Sequence, residues 1–142
     1  MAYKAGLGYY VAGVAKAHAN GDVDTFTVTG LVLVNLIYGV CTVAPGGAVN
    51  LNVGNNPTGG APPATIAFCA AGAVTGATAG DPITIDLVGG ALTVALTGAS
   101  AAYRLLAQGG TIFVRGTAVQ GTSQWFCYYI PLTVGSTVVA IP

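Results

Sequence analysis

Side chains able to do proton or metal chemistry are scarce in this chain, so their spacing decides what they can do. Its 142 residues include four Lys plus Arg, four acidic residues (all Asp) and one His. A carboxylate pair for acid–base work would have to come from Asp22, Asp24, Asp81 and Asp86. Asp81 precedes Pro82 and reads as a turn residue. Asp86 sits on the strand face opposite Ile85 and Leu87, toward solvent or an arginine across an interface. His18 would have to serve any Ser-His-Asp triad from an N-terminal segment, and no Gly-x-Ser-x-Gly elbow accompanies it. It is read as a solvated or interface histidine. Asn20-Gly21-Asp22-Val23-Asp24 alternates oxygen-bearing residues as calcium loops do. Thr25 stands where such a loop needs Gly and Leu31 where it needs Glu, so a turn into the first strand is expected instead. Gly6-Leu7-Gly8 lacks the third glycine and the preceding strand of a dinucleotide fingerprint. Cys41, Cys69 and Cys127 are too widely spaced for a zinc site and odd in number. Buried free thiols are expected, with a single disulfide left open. No catalytic residue, cofactor or metal ligand is assigned.

The aromatic residues carry more information. Along an extended strand Trp125, Cys127 and Tyr129 face one way, and Phe126, Tyr128 and Ile130 the other. Both faces are large and apolar. Either both lie in one core, or one forms a subunit interface, where Tyr and Trp are enriched. A third reading is a platform on which a sugar stacks. Tyr3, Tyr9 and Tyr10 join Trp125, Phe126, Tyr128 and Tyr129 as interface candidates. Arg104 and Arg115, the cations that follow the N-terminal segment, are candidates too, each expected to pair with Asp81 or Asp86 of a neighbouring subunit.

Composition narrows the function classes. The chain is 54% hydrophobic and only 6% charged, with a mean hydropathy of +0.73, against roughly 25% charged residues in an ordinary domain. Its surface must therefore be built of small polar residues, or be covered by partners. Net charge is zero, and no basic block exists to neutralise nucleic-acid phosphates. Nor is there a cationic amphipathic stretch for a membrane surface. The most apolar run, Leu31 to Ala44, is broken by Asn35, Gly39 and Thr42 and falls short of the ~18 apolar residues of a spanning helix. Ala17-His18-Ala19 imitates a signal-peptidase site, but glycines dilute the segment before it and Lys16 adjoins it, so the segment is expected to stay.

The elements that must position these residues are strands. Residues 1–22 read as an arm, with a short helix around Tyr9–Ala19 weakened by Gly13 and a neighbouring subunit expected to pin it. From Asp24 onward alternating and continuous apolar runs follow one another. Phe26 and Val28 alternate with threonines, and Leu31 to Ile37 suits a strand buried on both faces. Strands around Val49–Val53, Thr65–Cys69 and Ile83–Leu87 are expected, the last forming a hairpin with Leu92–Leu96 through Gly89-Gly90. A loop over Gly54–Pro63, a flexible stretch over Ala70–Gly80 and one helical turn within Ser100–Gln108 separate them. Strands over Thr111–Val119, Gln124–Ile130 and Thr133–Ile141 complete the set. The expected fold is all-β: a single-domain β-sandwich or jelly-roll-like barrel over residues 23–142, with an extended N-terminal arm over 1–22.

The C-terminal third, with Gly110-Thr111-Ile112, Gly121-Thr122, Trp125-Phe126-Cys127-Tyr128-Tyr129-Ile130-Pro131-Leu132 and Gly135-Ser136-Thr137-Val138-Val139-Ala140, resembles a group of small tailed-phage virion proteins. Phe26-Thr27-Val28-Thr29-Gly30, Tyr38-Gly39-Val40 and Asn56-Pro57-Thr58-Gly59-Gly60 are similar to their opening strands and turn. The resemblance covers most of residues 24–142 and leaves the arm outside it. It implies a capsid decoration or cement subunit, located on the virion and without catalytic residues. Its implied partners are copies of itself, as a trimer, and the major capsid protein. A tail, fibre or filament subunit is the nearest alternative, and a carbohydrate-binding β-sandwich module the alternative of another class.

Overall fold

A computed structural model describes residues 3–4, 6–58, 66–86, 95–97 and 105–142. All regular structure among them is β, as the alternating sequence requires. The strands are β1 (Tyr3–Lys4), β2 (Gly8–Ala12), β3 (Lys16–Ala17), β4 (Asn20–Val43), β5 (Asn50–Pro57), β6 (Ile66–Ala67), β7 (Gly72–Ala73), β8 (Pro82–Asp86), β9 (Ala95–Thr97), β10 (Leu105–Thr117), β11 (Thr122–Pro131) and β12 (Thr137–Ala140). They form one sheet in the order β1-β2-β11-β4-β10-β5-β6, its path ending at β1 and β6, with the remaining strands attached at its sides.

The spine is β4. The sequence suggests separate pieces over Asp24–Thr29, Leu31–Ile37 and Val40–Val43, but they form a single strand of 24 residues. Fully straight it would run about 80 Å, far beyond the ~14 Å radius of gyration of a chain this size. It therefore bends, and the registers show where. Thr25 is skipped in the pairing with β10, and Asn35 in the pairing with β11. Such bulges increase local twist. Between them Gly30 adopts φ +70°, where a side chain would strike the Ser136 hydroxyl. The Leu31 N–H instead donates to Thr133 Oγ1 and Ser136 Oγ, both at 3.2 Å. One edge of β4 pairs with β10 and then β8; the other pairs with β12 and then β11.

The coiled sheet encloses a core of Phe26, Val28, Val32, Val34, Ile37, Leu51, Val53, Ile112, Trp125, Tyr129 and Val138, with smaller neighbours. Leu31–Ile37 is not buried on both faces. Val32, Val34 and Ile37 are inside, whereas Leu36 is 42% exposed. A strand packed on one side only explains this, and the outward side becomes important below.

Several local expectations are corrected. The N-terminal segment is not helical: β2 pairs with β11 of the same chain, Tyr10 opposite Tyr128 and Ala12 opposite Phe126. β3 pairs with β11 too, so the chain's own sheet holds the segment in place. Asn20 to Asp24 is not a turn but the start of β4. Gly6 and Gly8 shape the turn between β1 and β2, with φ +80° and +92°. β8 and β9 pair in parallel, which a two-residue hairpin turn cannot connect; Gly89-Gly90 lies outside the described residues. Gly54 to Pro57, expected in a loop, extends β5, and Leu105 to Gln108, expected in a helical turn, belong to β10. The stretch 70–80 is anchored by buried Val74 and Ala77. Asp81 does end a turn, accepting the Thr78 N–H at 2.8 Å.

Candidate functional site

β11 separates its two faces cleanly. Ser123, Trp125, Cys127 and Tyr129 are buried, while Gln124, Phe126, Tyr128 and Ile130 are half-exposed. Trp125 and Tyr129 are therefore core residues, not interface contacts. Gly39 lies opposite Trp125 and leaves room for the indole; a methyl there would stand 2.9 Å from the ring.

The outward face gathers aromatics from three adjacent strands. Phe126 of β11 stands between Tyr38 of β4 and Tyr10 of β2. Ring centroids are 5.1 Å apart with planes at 18° for Tyr38, and 6.3 Å apart at 10° for Tyr10. Tyr10 also meets Tyr128 at 5.0 Å. Exposed Leu36 lies opposite Tyr128. On the other side of the sheet, Tyr9 packs on Tyr129, 5.8 Å between centroids. Among the described residues, the register places no charged side chain beside them. Burial, with Tyr128 and Tyr10 close by, raises the Tyr38 phenol above its ordinary value, so it stays neutral near pH 7. The arrangement can do one thing well: bury apolar and aromatic area against a partner, with phenol hydroxyls to satisfy the rim.

Of the sequence-derived candidates, the fold brings together Tyr10, Phe126 and Tyr128, while Tyr9 lies with Tyr129 on the opposite side of the sheet. Tyr3 lies in β1 opposite Tyr9, and Arg104 lies outside the described residues. Arg115 is paired within its own chain: Nε donates to Asp22 Oδ1 at 2.5 Å and a terminal nitrogen to Asp22 Oδ2 at 3.0 Å. Its guanidinium also lies 5.1 Å from the Phe113 ring centroid. That bond, ahead of one from Asn56, lowers the Asp22 carboxyl pKa, and Asp24 accepts from Thr111. The Asp22 and Asp24 carboxylates are thus engaged along an extended strand. Tyr38 and Leu36 were not among the candidates; only the strand register places them beside Phe126 and Tyr128, and that register is invisible in the sequence.

A second cluster contradicts the expectation for His18, which is buried at 4% exposure. Its Nδ1 lies 2.5 Å from the Gln120 carbonyl, which can only accept, so Nδ1 carries the proton. Nε2, 3.0 Å from Ser123 Oγ, is then the acceptor. Ser123 in turn accepts from Trp125 Nε1 at 2.8 Å. Trp125, Ser123, His18 and Gln120 thus form a one-way chain in which every member is satisfied with His18 neutral. Burial lowers the His18 pKa, outweighing the opposing effect of the Gln120 bond. The three cysteines are buried and unpaired, and burial pushes the Cys127 thiol up to about 12.

No family model, curated protein or solved structure matches this chain. Its functional reading rests on the aromatic face and the residues around it.

Proposed function

We propose that this chain is a non-enzymatic structural subunit of a phage particle, a capsid decoration or cement protein. It associates with copies of itself, as a trimer, and with the major capsid protein. The observation that carries the reading is the uncharged outward face of Tyr10, Leu36, Tyr38, Phe126 and Tyr128. A protein with so few charges gains little by leaving this face wet. Covering it within a standard interface of ~1,600 Å² holds subunits together without covalent chemistry. The resemblance of the C-terminal strands to small virion proteins gives the reading its biological setting. The Ser123 contact with His18 is buried, and the Ser123 oxygen is engaged by Trp125. A sugar platform needs free ring faces; here neighbouring rings stack largely on one another.

Light scattering coupled to size exclusion tests this reading. A discrete oligomer is expected, and Phe126→Lys should convert it to a folded monomer, since central aromatic contacts commonly carry ~2 kcal/mol or more. A monomeric parent protein would sink the proposal and favour the carbohydrate-binding module. Open-ended polymer would favour a tail or filament subunit.

A further inference from the structure

The structure offers a second device, independent of the aromatic face. We infer that the His18 cluster is an acid-operated latch: protonation of its imidazole frees residues 13–19 from β11 and uncovers the Trp125 edge of the core.

The geometry supplies each step. The neutral ring completes a one-way chain of hydrogen bonds from Trp125 Nε1 through Ser123 Oγ to the Gln120 carbonyl. An added proton on Nε2 would face the Ser123 oxygen, which already accepts from Trp125. The Ser123 hydroxyl proton would then lose its acceptor. A buried polar group without a partner is costly to keep. Apart from the Gln120 carbonyl, which favours the charged ring, the described residues lining the crevice include no carboxylate to offset the charge. Lys16 is the one charged group among the described residues lining the adjoining crevice, and its sign opposes protonation. The strands around it present Val23, Thr25, Leu51, Val114, Ser123 and Trp125, all uncharged.

The segment is also weakly tied. β3 shares two residue pairs with β11. Beyond these, His18 N–H donates to the Gly121 carbonyl at 3.0 Å and Gly13 N–H to the Trp125 carbonyl at 2.7 Å. The Gly13 carbonyl accepts from the Gln124 amide at 2.8 Å, and Lys16 Nζ donates to the Asp24 carbonyl at 3.0 Å. Few bonds need break for local opening, while the long strands keep theirs. Histidine protonation falls in the range where such switches operate.

Trp125 is the single tryptophan, so the latch carries its own reporter. The test follows Trp emission and far-ultraviolet circular dichroism of the full chain from about pH 7.5 to about pH 5. In the wild type a reversible red shift is expected, with the β signal retained; His18→Gln should hold its emission constant. A flat wild-type profile, loss of the β signal together with the shift, or an unchanged shift in His18→Gln would each overturn the latch. Should His18→Gln fail to fold, the His18 ring resonances of the wild type decide. A ring titration coincident with the emission change supports the latch, and a separate midpoint refutes it.

Discussion

At the scale of single residues, the alternation in β11 shows what a strand pattern can and cannot convey. The sequence separates Trp125, Cys127 and Tyr129 from Phe126 and Tyr128. It does not say which set faces inward. Gly39 decides it physically, because only a residue without a side chain admits the indole beneath β4. Gly39→Ala should therefore cost about 1–3 kcal/mol through overpacking, read as a lower urea midpoint with an unchanged slope. An unaltered midpoint would mean that the indole is not seated there. The burial of His18 is hidden from the sequence for a related reason. A polar ring among glycines and alanines reads as exposed until its partners, Gln120 and Ser123, return from more than 100 residues away.

At the scale of elements, the sequence reveals most strands but few of their neighbours. β5, β8, β10, β11 and β12 fall near the places that alternation marks. The arm does not behave as one, because β2 and β3 find an edge on β11. Val11 enters the core, and Tyr9 and Tyr10 complete the aromatic rows. Without residues 1–19, β11 would lose its β2 and β3 partners, and Gln120 and Ser123 their bonds to His18. Removing residues 1–19 should give a destabilised, aggregation-prone protein. Its thermal unfolding midpoint should fall well below that of the full chain; equal midpoints would show that the segment is dispensable to the fold.

At the scale of the whole molecule, acid should weaken the fold in two steps. His18 has a folded pKa below its ordinary 6.5. The unfolded chain therefore takes up that proton first, and stability is full above about 6.5 and falls as pH drops through the lowered value. Asp22 is held below its ordinary 3.8 by Arg115. Its smaller, solvent-screened contribution is full above that value and is lost as pH falls through the folded one. Melting temperatures measured across this range should decline in that order, and His18→Gln should lose the first step only. The length of β4 has a further consequence, during synthesis. Its last residue, Val43, is made 79 residues before β11 begins at Thr122, a delay of about 4–16 s at ordinary translation rates. Throughout that time the most apolar strand of the chain stands at the ribosome with one whole edge unclaimed. The order of manufacture, more than the finished fold, sets when this protein is most prone to aggregate.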